Sequence, residues 1–434
     1  MHNATDNKGS LPNKQQECPT CQKFLPVYSG YSTWCDNCGW NLLTNRPDRP
    51  KNFFEKVYTD MGQKLSRGLY DKMVKTNVIN PRLSLSKLLA YVMATLIHGF
   101  SLIIVVIGIW LILLKWFNPL FFAFGLILLI VSWFTRPNFG KITTTNSVTR
   151  VEFPHLFRLV DRVATAMVAP QIDIIKIDTR FNASIYEGGF KKRRMLTIGL
   201  PLFTILEDRE KIALLAHELG HCLNRDMRRG FYIGSALNTL IYWYRITRPA
   251  YLWPKHSRDG ILIIFSTFVT NLLMLALSKI IQLGIYILTH LIFRESQRAE
   301  YLADAQANRV SGTRAMVAML EKLHFAEIFT LSVQMVALNP GKQKLFDCLR
   351  NSLREVPERE LDRIRRIRHL DGSRLDVTHP PTVYRTAFIE ARPAEGANII
   401  FGDEEFLELK KELARLEPII EEKLLDRYKD SLYR

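Results

Sequence analysis

The sequence predicts a mainly α-helical membrane protein with a small metal-binding domain at its N-terminus. Two long apolar runs, two Cys-x-x-Cys pairs and one pair of histidines four residues apart support this prediction. The chain has 434 residues and a net charge of +17, with 47% hydrophobic and 23% charged residues. Its mean hydropathy of -0.01 is high for so charged a chain, so the apolar residues must be concentrated in segments. A disordered or purely fibrous chain is thereby excluded.

Two apolar runs, residues 88–114 and 120–134, contain no Asp, Glu, Lys or Arg. At 1.5 Å per helical residue the first run reaches about 40 Å, more than the roughly 30 Å of hydrocarbon in a bilayer. The second run is shorter, but it ends in Trp133 and Phe134, where aromatic residues of a membrane interface are expected. We therefore predict a transmembrane hairpin over residues 88–135. A buried core helix is the alternative for either run.

The distribution of positive charge predicts the orientation of this hairpin. No secretory signal is expected, because the first residues are polar and the first apolar run begins only near residue 88. Residues 46–87, predicted to be a tether, contain ten Lys or Arg residues, whereas only Lys115 lies between the two runs. The positive-inside rule then places both ends of the hairpin in the cytosol. Anionic lipid explains much of the charge, and no nucleic-acid partner is expected.

Four of the six cysteines form two Cys-x-x-Cys pairs, Cys18 with Cys21 and Cys35 with Cys38. Four thiolates at this spacing can hold one zinc ion in a tetrahedron, and so short a segment cannot otherwise bury enough surface to fold. The sequence therefore predicts a zinc ribbon over residues 1–45 with one structural zinc. Two disulfides are disfavoured by a cytosolic location, and a rubredoxin-type iron site has the same ligands.

A second metal site is predicted by the sequence His217-Glu218-Leu219-Gly220-His221, which lies in a stretch of helix-forming composition. Histidines four residues apart lie on one helical face, so His217 and His221 can bind one zinc ion. Glu218, one residue further round the helix, can reach the water that the ion activates and take its proton. This arrangement is typical of metal-assisted hydrolysis, although the short motif also occurs by chance.

A further helical stretch, residues 298–304, offers the third protein ligand that such a site needs. Glu300 would complete a His2Glu zinc site with one position open for water. Asp304, one turn later, could accept the free ring N–H of a ligand histidine and fix its tautomer. Without the histidine motif, an exposed carboxylate pair would be the better interpretation.

These motifs together resemble the HtpX family of membrane-integral zinc metallopeptidases, which are related to the CAAX prenyl endopeptidases. The matching residues are 217–221, 300–304 and Thr378-His379-Pro380-Pro381, followed by Arg385. The similarity covers about residues 80–390. It implies a gluzincin-like metallopeptidase domain with a small β-sheet, here expected over residues 141–392. The implied function is a membrane-bound zinc endopeptidase, with a role in membrane-protein quality control and membrane proteins as substrates.

The resemblance also implies roles for four residues outside the predicted zinc ligands. An edge strand near the metal, beginning here at Asn182 and Ala183, would hold the peptide substrate in extended form. His379 would help to stabilise the oxyanion, with Arg385 as a supporting charge. This chain has Ser184 where the family's edge motif has an aromatic residue, so the preference of one substrate pocket is open.

The chain between the two halves of the site must leave and return on one side of the bilayer, so only an even number of crossings is allowed. Residues 230–244 and 261–293 are apolar and could form a second hairpin, which we favour. The loop between them carries four basic residues, which the positive-inside rule would keep in the cytosol. Two spans, with these helices lying against the bilayer, is therefore the alternative.

The predicted protein is thus a multi-pass integral membrane protein of a bacterial plasma membrane, with its catalytic domain and both termini in the cytoplasm. The basic cluster at residues 363–368 is expected to be solvated or to face lipid. Residues 393–434 show apolar residues at helical spacing and predict one amphipathic helix. A non-catalytic membrane adaptor that recruits a partner through the ribbon is the alternative function. A prenyl-protein endopeptidase is a further alternative within enzymes.

Overall fold

The computed structural model describes residues 14–28, 31–42, 66–75, 84–114, 117–136, 144–188, 193–224, 226–249, 261–370, 380–397, 399 and 401–432, without the side chains of residues 226–231, 261 and 368–370. The protein is mostly helical, with one small mixed sheet and one short hairpin. This confirms the fold class predicted from the sequence.

The N-terminal part begins with an antiparallel hairpin of strands β1 (Lys14–Glu17) and β2 (Phe24–Val27), in which Lys14 lies opposite Val27. Farther along, residues 66–75 form helix α1 within the segment predicted as a tether. Met73 of α1 is buried in the main core, and Ser66 donates a hydrogen bond of 3.1 Å to Gln297. This part of the segment is therefore packed against the rest of the protein.

The first apolar hairpin consists of helices α2 (Leu85–Leu114) and α3 (Pro119–Thr135). Asn118 caps α3 by accepting a hydrogen bond of 3.0 Å from the backbone N–H of Leu120. The helices touch where Gly108 faces Gly125: a Cβ atom on Gly125 would lie 2.8 Å from the carbonyl oxygen of Gly108. Small residues allow such close approach of membrane helices. The outward faces of both helices are exposed and apolar, as expected for surfaces covered by lipid.

Two further long helices follow the segment that carries the histidine motif: α7 (Asp226–Thr247) and α8 (Ile261–Ser311). By length and apolar composition, α2 and α8 qualify as membrane spans within the described residues, while α3 is apolar but shorter. Only 17% of the apolar window in each of α2 and α8 is buried, which fits a lipid environment better than a soluble core. Helix α8 continues without a break from its apolar half to Glu300, so the apolar segment and the predicted ligand lie on one continuous helix.

The small sheet has the strand order β3-β4-β6-β5. The strands are β3 (Ser147–Val148), β4 (Ile174–Asp178), β5 (Ala183–Gly188) and β6 (Arg193–Gly199). Strands β4 and β6 are parallel, and the other pairs are antiparallel. Strand β5 is therefore an edge strand. At the end of β6, a Cβ atom on Gly199 would lie 1.7 Å from the carbonyl oxygen of Arg180, so only glycine fits there.

Helices enclose this sheet and build the main core. Beyond those already named they are α4 (Pro154–Met167), α5 (Leu200–Ile205), α6 (Asp208–Leu223), α9 (Thr313–Lys322), α10 (Ala326–Leu338), α11 (Leu345–Glu355), α12 (Glu358–Leu370) and α13 (Thr382–Glu390). The core joins α4, the sheet, α6 and the end of α8 in one buried cluster. Helix α6, which carries the two histidines, runs through its centre and is buried along most of its length.

The C-terminal segment forms two helices, α14 (Asp403–Ala414) and α15 (Glu417–Leu432), so the prediction of one amphipathic helix was wrong. Pro418 lies in the first turn of α15, where its missing N–H is tolerated, whereas in the middle of one long helix its ring would clash with the carbonyl four residues earlier. The apolar face predicted from the spacing does pack on the domain: Leu409, Leu413 and Leu424 are buried in the main core.

Candidate metal centres and active site

The four N-terminal cysteines come together behind the β1–β2 hairpin, with their sulfur atoms all within 4.8 Å of one another. The Sγ atoms of Cys18 and Cys38 are 3.6 Å apart, and those of Cys21 and Cys35 are 3.5 Å apart. A tetrahedral zinc ion with Zn–S bonds of about 2.3 Å separates its sulfur ligands by about 3.8 Å. The separations are far longer than a disulfide of about 2.05 Å. The donor set thus fits one metal ion, and the described cysteines form no disulfide.

The backbone supports a thiolate at Cys21, whereas at Cys38 the backbone N–H of Trp40 is outweighed by desolvation and by the neighbouring cysteines, which raise the pKa to about 12. A backbone N–H of Lys23, together with the side chain of Asn37, lowers the pKa of Cys21 to about 6. Hydrogen bonds of this kind stabilise the anionic sulfur, which is the form that binds a metal ion.

The cysteine cluster is docked on helix α12, where one arginine of the basic cluster and one just before it hold it in place. Arg359 donates a hydrogen bond of 2.7 Å to the carbonyl oxygen of Trp34, and Arg366 one of 2.7 Å to that of Asp36. Both guanidinium groups also lie against the ring of Trp34, at 4.9 and 5.1 Å from its centroid. Arg363 is buried, so the prediction that residues 363–368 are solvated or lipid-facing was wrong for this residue.

The catalytic helix α6 has a well-defined start. Glu210 accepts a hydrogen bond of 2.7 Å from the backbone N–H of Glu207, and Glu207 caps the third helical residue in return. From this fixed start the helix carries His217, Glu218 and His221 into the interior, where His217 and Glu218 are buried. One helical turn separates the two histidines, so their rings project to the same side.

Three ligand atoms converge between α6 and α8. The Nε2 atoms of His217 and His221 are 3.3 Å apart. The Glu300 carboxylate oxygens lie 3.5 Å from His217 Nε2 and 3.4 Å from His221 Nε2. A tetrahedral ion with bonds of about 2.0–2.1 Å separates its ligand atoms by about 3.3 Å. Oε2 of Glu300 faces His217 and Oε1 faces His221. The three residues therefore form a triangle of donors whose separations fit one face of a tetrahedron, which leaves the fourth corner for water or substrate.

Close packing of α6 on α8 makes this convergence possible. A Cβ atom on Gly220 would lie 3.0 Å from the Cα atom of Ala303, closer than most side chains tolerate. Gln306 of α8 donates a hydrogen bond of 3.3 Å to the Asn224 side chain at the end of α6. The glycine between the two histidines thus sets how near Glu300 can come to them.

Asp304 and Arg385 form a buried network behind His217. Asp304 lies 3.0 Å from His217 Nδ1, and Arg385 donates hydrogen bonds of 2.8 and 2.6 Å to the Asp304 carboxylate. Asp304 is fully buried, yet Arg385 and His217 hold its pKa below the usual value. The Asp304 carboxylate therefore stays ionised and can fix the His217 tautomer that leaves Nε2 free for a metal ion.

The carboxylates also affect the protonation of His217 in the absence of metal. Burial alone would lower its pKa, but hydrogen bonds to Asp304 and Glu300 outweigh burial and raise the pKa to about 10. A metal ion must displace this proton, so metal binding is coupled to proton release.

Three other predicted site residues, Asn182, Ala183 and Arg385, lie on or next to elements that pack against α6 or α8. The backbone carbonyl oxygen of Asn182 accepts a hydrogen bond of 2.8 Å from the Gly199 N–H. Asn182 immediately precedes Ala183, the first residue of the edge strand β5. Strand β5 packs beside α6. His379 lies outside the described residues, but α13 begins three residues later and brings Arg385 to the centre.

Several residues that shape the centre were not singled out in the sequence. Gly220, Asn224 and Gln306 set the spacing between α6 and α8, and Trp34 anchors the cysteine cluster on α12. Among these residues, only Gly220 could have been noticed in the sequence, because it lies inside the histidine motif.

Comparison with known proteins agrees with this geometry. The model of peptidase family M48 matches residues 151–393. Relatives named Protease HtpX homolog include those of Pyrobaculum calidifontis and Pyrobaculum aerophilum. Each is 25% identical, over 55% of this chain and over 68% and 67% of the relative, respectively. That of Dictyoglomus thermophilum is 24% identical over 52% of this chain and 73% of its own length. No solved structure gives a significant match.

The family match covers more than half of the chain and contains both histidines, Glu300, Asp304 and Arg385. The chain therefore belongs to peptidase family M48, as a membrane zinc protease of the HtpX type.

Proposed function

We propose that this protein is a gluzincin-type endopeptidase that hydrolyses peptide bonds at a zinc ion held by His217, His221 and Glu300. The observation that carries the proposal is the triangle of ligand residues, whose facing donor atoms are 3.3, 3.4 and 3.5 Å apart, with a different Glu300 oxygen facing each histidine. These lengths fit three corners of a tetrahedral zinc site, and the open corner is typical of catalytic rather than structural zinc. When bound, zinc supplies a Lewis acid that polarises the peptide carbonyl and makes water a stronger acid.

The protein's own groups would do the rest of the chemistry. Glu218 follows His217 on α6 and is buried beside the ligands, where a carboxylate can take a proton from the attacking water and pass it to the leaving amine. Asp304 holds His217 in one orientation, and Arg385 holds Asp304. Because Arg385 Nη2 also lies 3.4 Å from Glu300, the same guanidinium reaches two of the acidic groups around the metal site.

Substrate would bind along the edge strand that begins after Asn182. Strand β5 has a free edge in the described sheet and packs beside the catalytic helix, so an extended peptide can add to it by backbone hydrogen bonds. His379, three residues before α13, is proposed to stabilise the oxyanion. The position of α13, which delivers Arg385 to the centre, supports this role.

We further propose that the four N-terminal cysteines bind a structural zinc ion, so that the loaded protein holds two. Their separations of 3.5 and 3.6 Å support a shared ion. The ribbon is docked on α12 by arginine contacts to Trp34 and Asp36, and none of these groups touches the catalytic triangle. A structural role fits this position, since all four ligands come from protein.

The proposed topology has several crossings with the catalytic domain in the cytosol. Helix α8 has 51 residues and is about 75 Å long, so it can cross a bilayer of about 30 Å and still reach the site with Glu300. Because α8 leads directly from the bilayer to Glu300, the active site would lie within reach of polypeptides held at the membrane. Membrane proteins are therefore the proposed substrates and quality control the proposed role.

Metal analysis of the purified full-length protein, combined with Glu218→Gln, tests the catalytic proposal. The variant is expected to keep both zinc ions, because the carboxylate is not a ligand, and to lose at least about 10²-fold in peptide hydrolysis. His221→Gln should instead retain one zinc ion. Arg209→Gln, at an exposed position on the same helix outside the metal site, is the control and should leave zinc content unchanged. Near-normal turnover by Glu218→Gln would remove the mechanism.

A further inference from the structure

The helices near the membrane contain a polar cavity of about 560 Å³ between the end of α3 and the middle of α7. Its lining includes Arg136, Asn238 and Arg245, together with the hydroxyl groups of Ser235 and Thr239. It is separate from the metal site, which is built by α6, α8 and α13. Polar cavities beside lipid-exposed helices are costly unless something polar occupies them.

The two arginines make the cavity strongly positive. Both are exposed, and neither forms an ion pair with an acidic side chain in the part of the chain that the structure describes. Arg136 lies against the ring of Trp133, with its guanidinium carbon 3.7 Å from the ring centroid, which holds this charge at the end of α3. Asn238 of α7, also exposed, adds an amide donor to the cavity lining. Unpaired guanidinium groups with neighbouring donors are suited to bind a phosphodiester.

The surroundings of the cavity fit the rest of a lipid molecule. Trp133 and Phe134 are 62% and 63% exposed on the α3 side, and Ile246 is 52% exposed on the α7 side. Phe134 and Tyr242, which both line the cavity, stack at 6.0 Å between ring centroids across the two helices. The hydroxyl of Thr239 donates to the carbonyl oxygen of Thr135 at 3.0 Å and ties α7 to α3. The cavity is therefore held open as a shaped cleft whose apolar rim continues into the lipid-facing surface.

We propose that this cleft binds the headgroup of an anionic phospholipid, with Arg136 and Arg245 on the phosphate and the acyl chains along the exposed apolar faces of α3 and α7. Arg136 follows the aromatic end of α3, at the level where headgroups lie. Arg245 lies six residues beyond Thr239 on α7, about 9 Å along the helix. Its long side chain can extend back along the apolar surface to the same level. A basic pocket between membrane helices is typical of this kind of recognition.

The test measures thermal unfolding of the full-length protein in detergent as phosphatidylglycerol is added, with phosphatidylcholine as the neutral comparison. Wild-type protein is expected to melt at a higher temperature with phosphatidylglycerol, and less so with phosphatidylcholine, because the choline ammonium is repelled by the arginines. The double variant Arg136→Gln/Arg245→Gln should need at least about tenfold more phosphatidylglycerol for the same shift. Arg248→Gln removes the same charge one residue beyond the end of α7, outside the cleft, and should behave as wild type.

Three results would overturn the proposal. One is an unchanged lipid response in the double variant when its zinc content and hydrolysis of a soluble peptide show that it is folded. The second is an equal shift with inorganic phosphate at millimolar concentration, which would show a simple anion site without acyl-chain contacts. An equal loss in Arg248→Gln would likewise contradict it, because general surface charge and not the cleft would then attract the lipid.

Discussion

The Arg385 guanidinium donates two hydrogen bonds, of 2.8 and 2.6 Å, to the buried Asp304 carboxylate, which in turn lies 3.0 Å from His217 Nδ1. This paired geometry fixes the plane of the carboxylate as well as its charge. We therefore propose Arg385 as a positioning residue, which would act on a bound metal ion through Asp304 and His217. Its burial matters, since a charge pair away from water is weakly screened.

Arg385→Gln is expected to weaken zinc binding at the catalytic site by about 10- to 100-fold, the usual effect of removing support behind a ligand histidine. Arg385→Lys keeps the charge but loses the paired hydrogen bonds, so it should recover only part of the affinity. Competition with a zinc chelator measures both. Arg314→Gln, an exposed arginine on α9, is the control. Equal affinity for Arg385→Gln and wild type would remove the positioning role.

Gly220→Ala tests whether the approach of α6 to α8 sets the ligand triangle. The added methyl group would lie 3.0 Å from the Cα atom of Ala303, so α8 must move by a few tenths of an ångström. Metal sites tolerate only about 0.2 Å in ligand distance, so we expect zinc affinity to fall by at least about tenfold. Gly68→Ala, where the new methyl group meets nothing within 4 Å, is the matched control. Retention of full zinc affinity by the Gly220 variant would show that the helices adjust freely.

The sequence predicted the parts of the site that local periodicity determines. His217 and His221 share a helical face by spacing alone, and Glu300 was identified because a His2 site needs a third ligand from another helix. The role of Arg385 came from family resemblance, because only the tertiary fold brings α13 beside α8. The docking of the cysteine cluster on α12 could not be predicted, since the partners of Arg359 and Arg366 are backbone carbonyls hundreds of residues away. The helical spacing of apolar residues in the C-terminal segment could be predicted from the sequence. The division into two helices depends on Pro418, which fits only at the start of a helix.

Cys35→Ser is expected to release one zinc ion and to unfold the ribbon, because metal affinity supplies much of the folding free energy of such small domains. Arg359 and Arg366 would then lose the carbonyl groups of Trp34 and Asp36, so α12 should become sensitive to trypsin. Hydrolysis of a small soluble peptide should survive, because these contacts do not touch the catalytic triangle.

Mass spectrometry of tryptic fragments, alongside zinc analysis, measures these effects. Cys348→Ser removes a buried thiol outside both metal sites and is the control. Loss of peptide hydrolysis with the catalytic zinc still bound would show that the ribbon supports the active site.

Glu405→Gln tests the attachment of the C-terminal helices. Burial tends to raise the pKa of Glu405, but Arg162 and Arg158, at 2.6 and 3.0 Å, outweigh it and lower the pKa to about 2. Because the folded pKa is depressed, the stabilisation is present above the ordinary value of 4.5 and is lost as the pH falls towards 2.

After allowance for solvent screening, we expect the variant to lose about 1 kcal/mol of unfolding free energy at pH 7. The difference from wild type should shrink as the pH falls from 4.5 towards 3, which thermal unfolding in detergent can follow. Glu404→Gln, at the neighbouring exposed position of the same helix, should match wild type throughout. A difference that does not change with pH would mean that the Glu405 charge is not what holds the helices.

The number of membrane crossings depends on the directions in which α7 and α8 run. Helix α7 starts just after α6, beside the active site, and runs antiparallel to α8, with Leu240 of α7 packed 3.6 Å from a Cβ position at Gly284. If the apolar half of α8 crosses the bilayer towards Glu300, its first residue lies on the far side, and the chain from α7 through residue 260 must cross as well. Four basic residues, Arg245, Arg248, Lys255 and Arg258, oppose this.

A cysteine substituted for Ser257, which lies outside the described residues, distinguishes the two topologies. If α7 and α8 form a second hairpin, an impermeant thiol reagent added to intact cells will label it. Cysteines at Arg209 and Arg309, exposed positions on α6 and at the end of α8, should label only after permeabilisation, because both flank the metal site in the cytosol. Labelling of position 257 only after permeabilisation would refute four spans and favour helices lying against the bilayer. Because zero crossings satisfy the same parity as two, the zinc site would be unaffected, whereas labelling of positions 209 and 309 from opposite sides would rule out any shared metal ion.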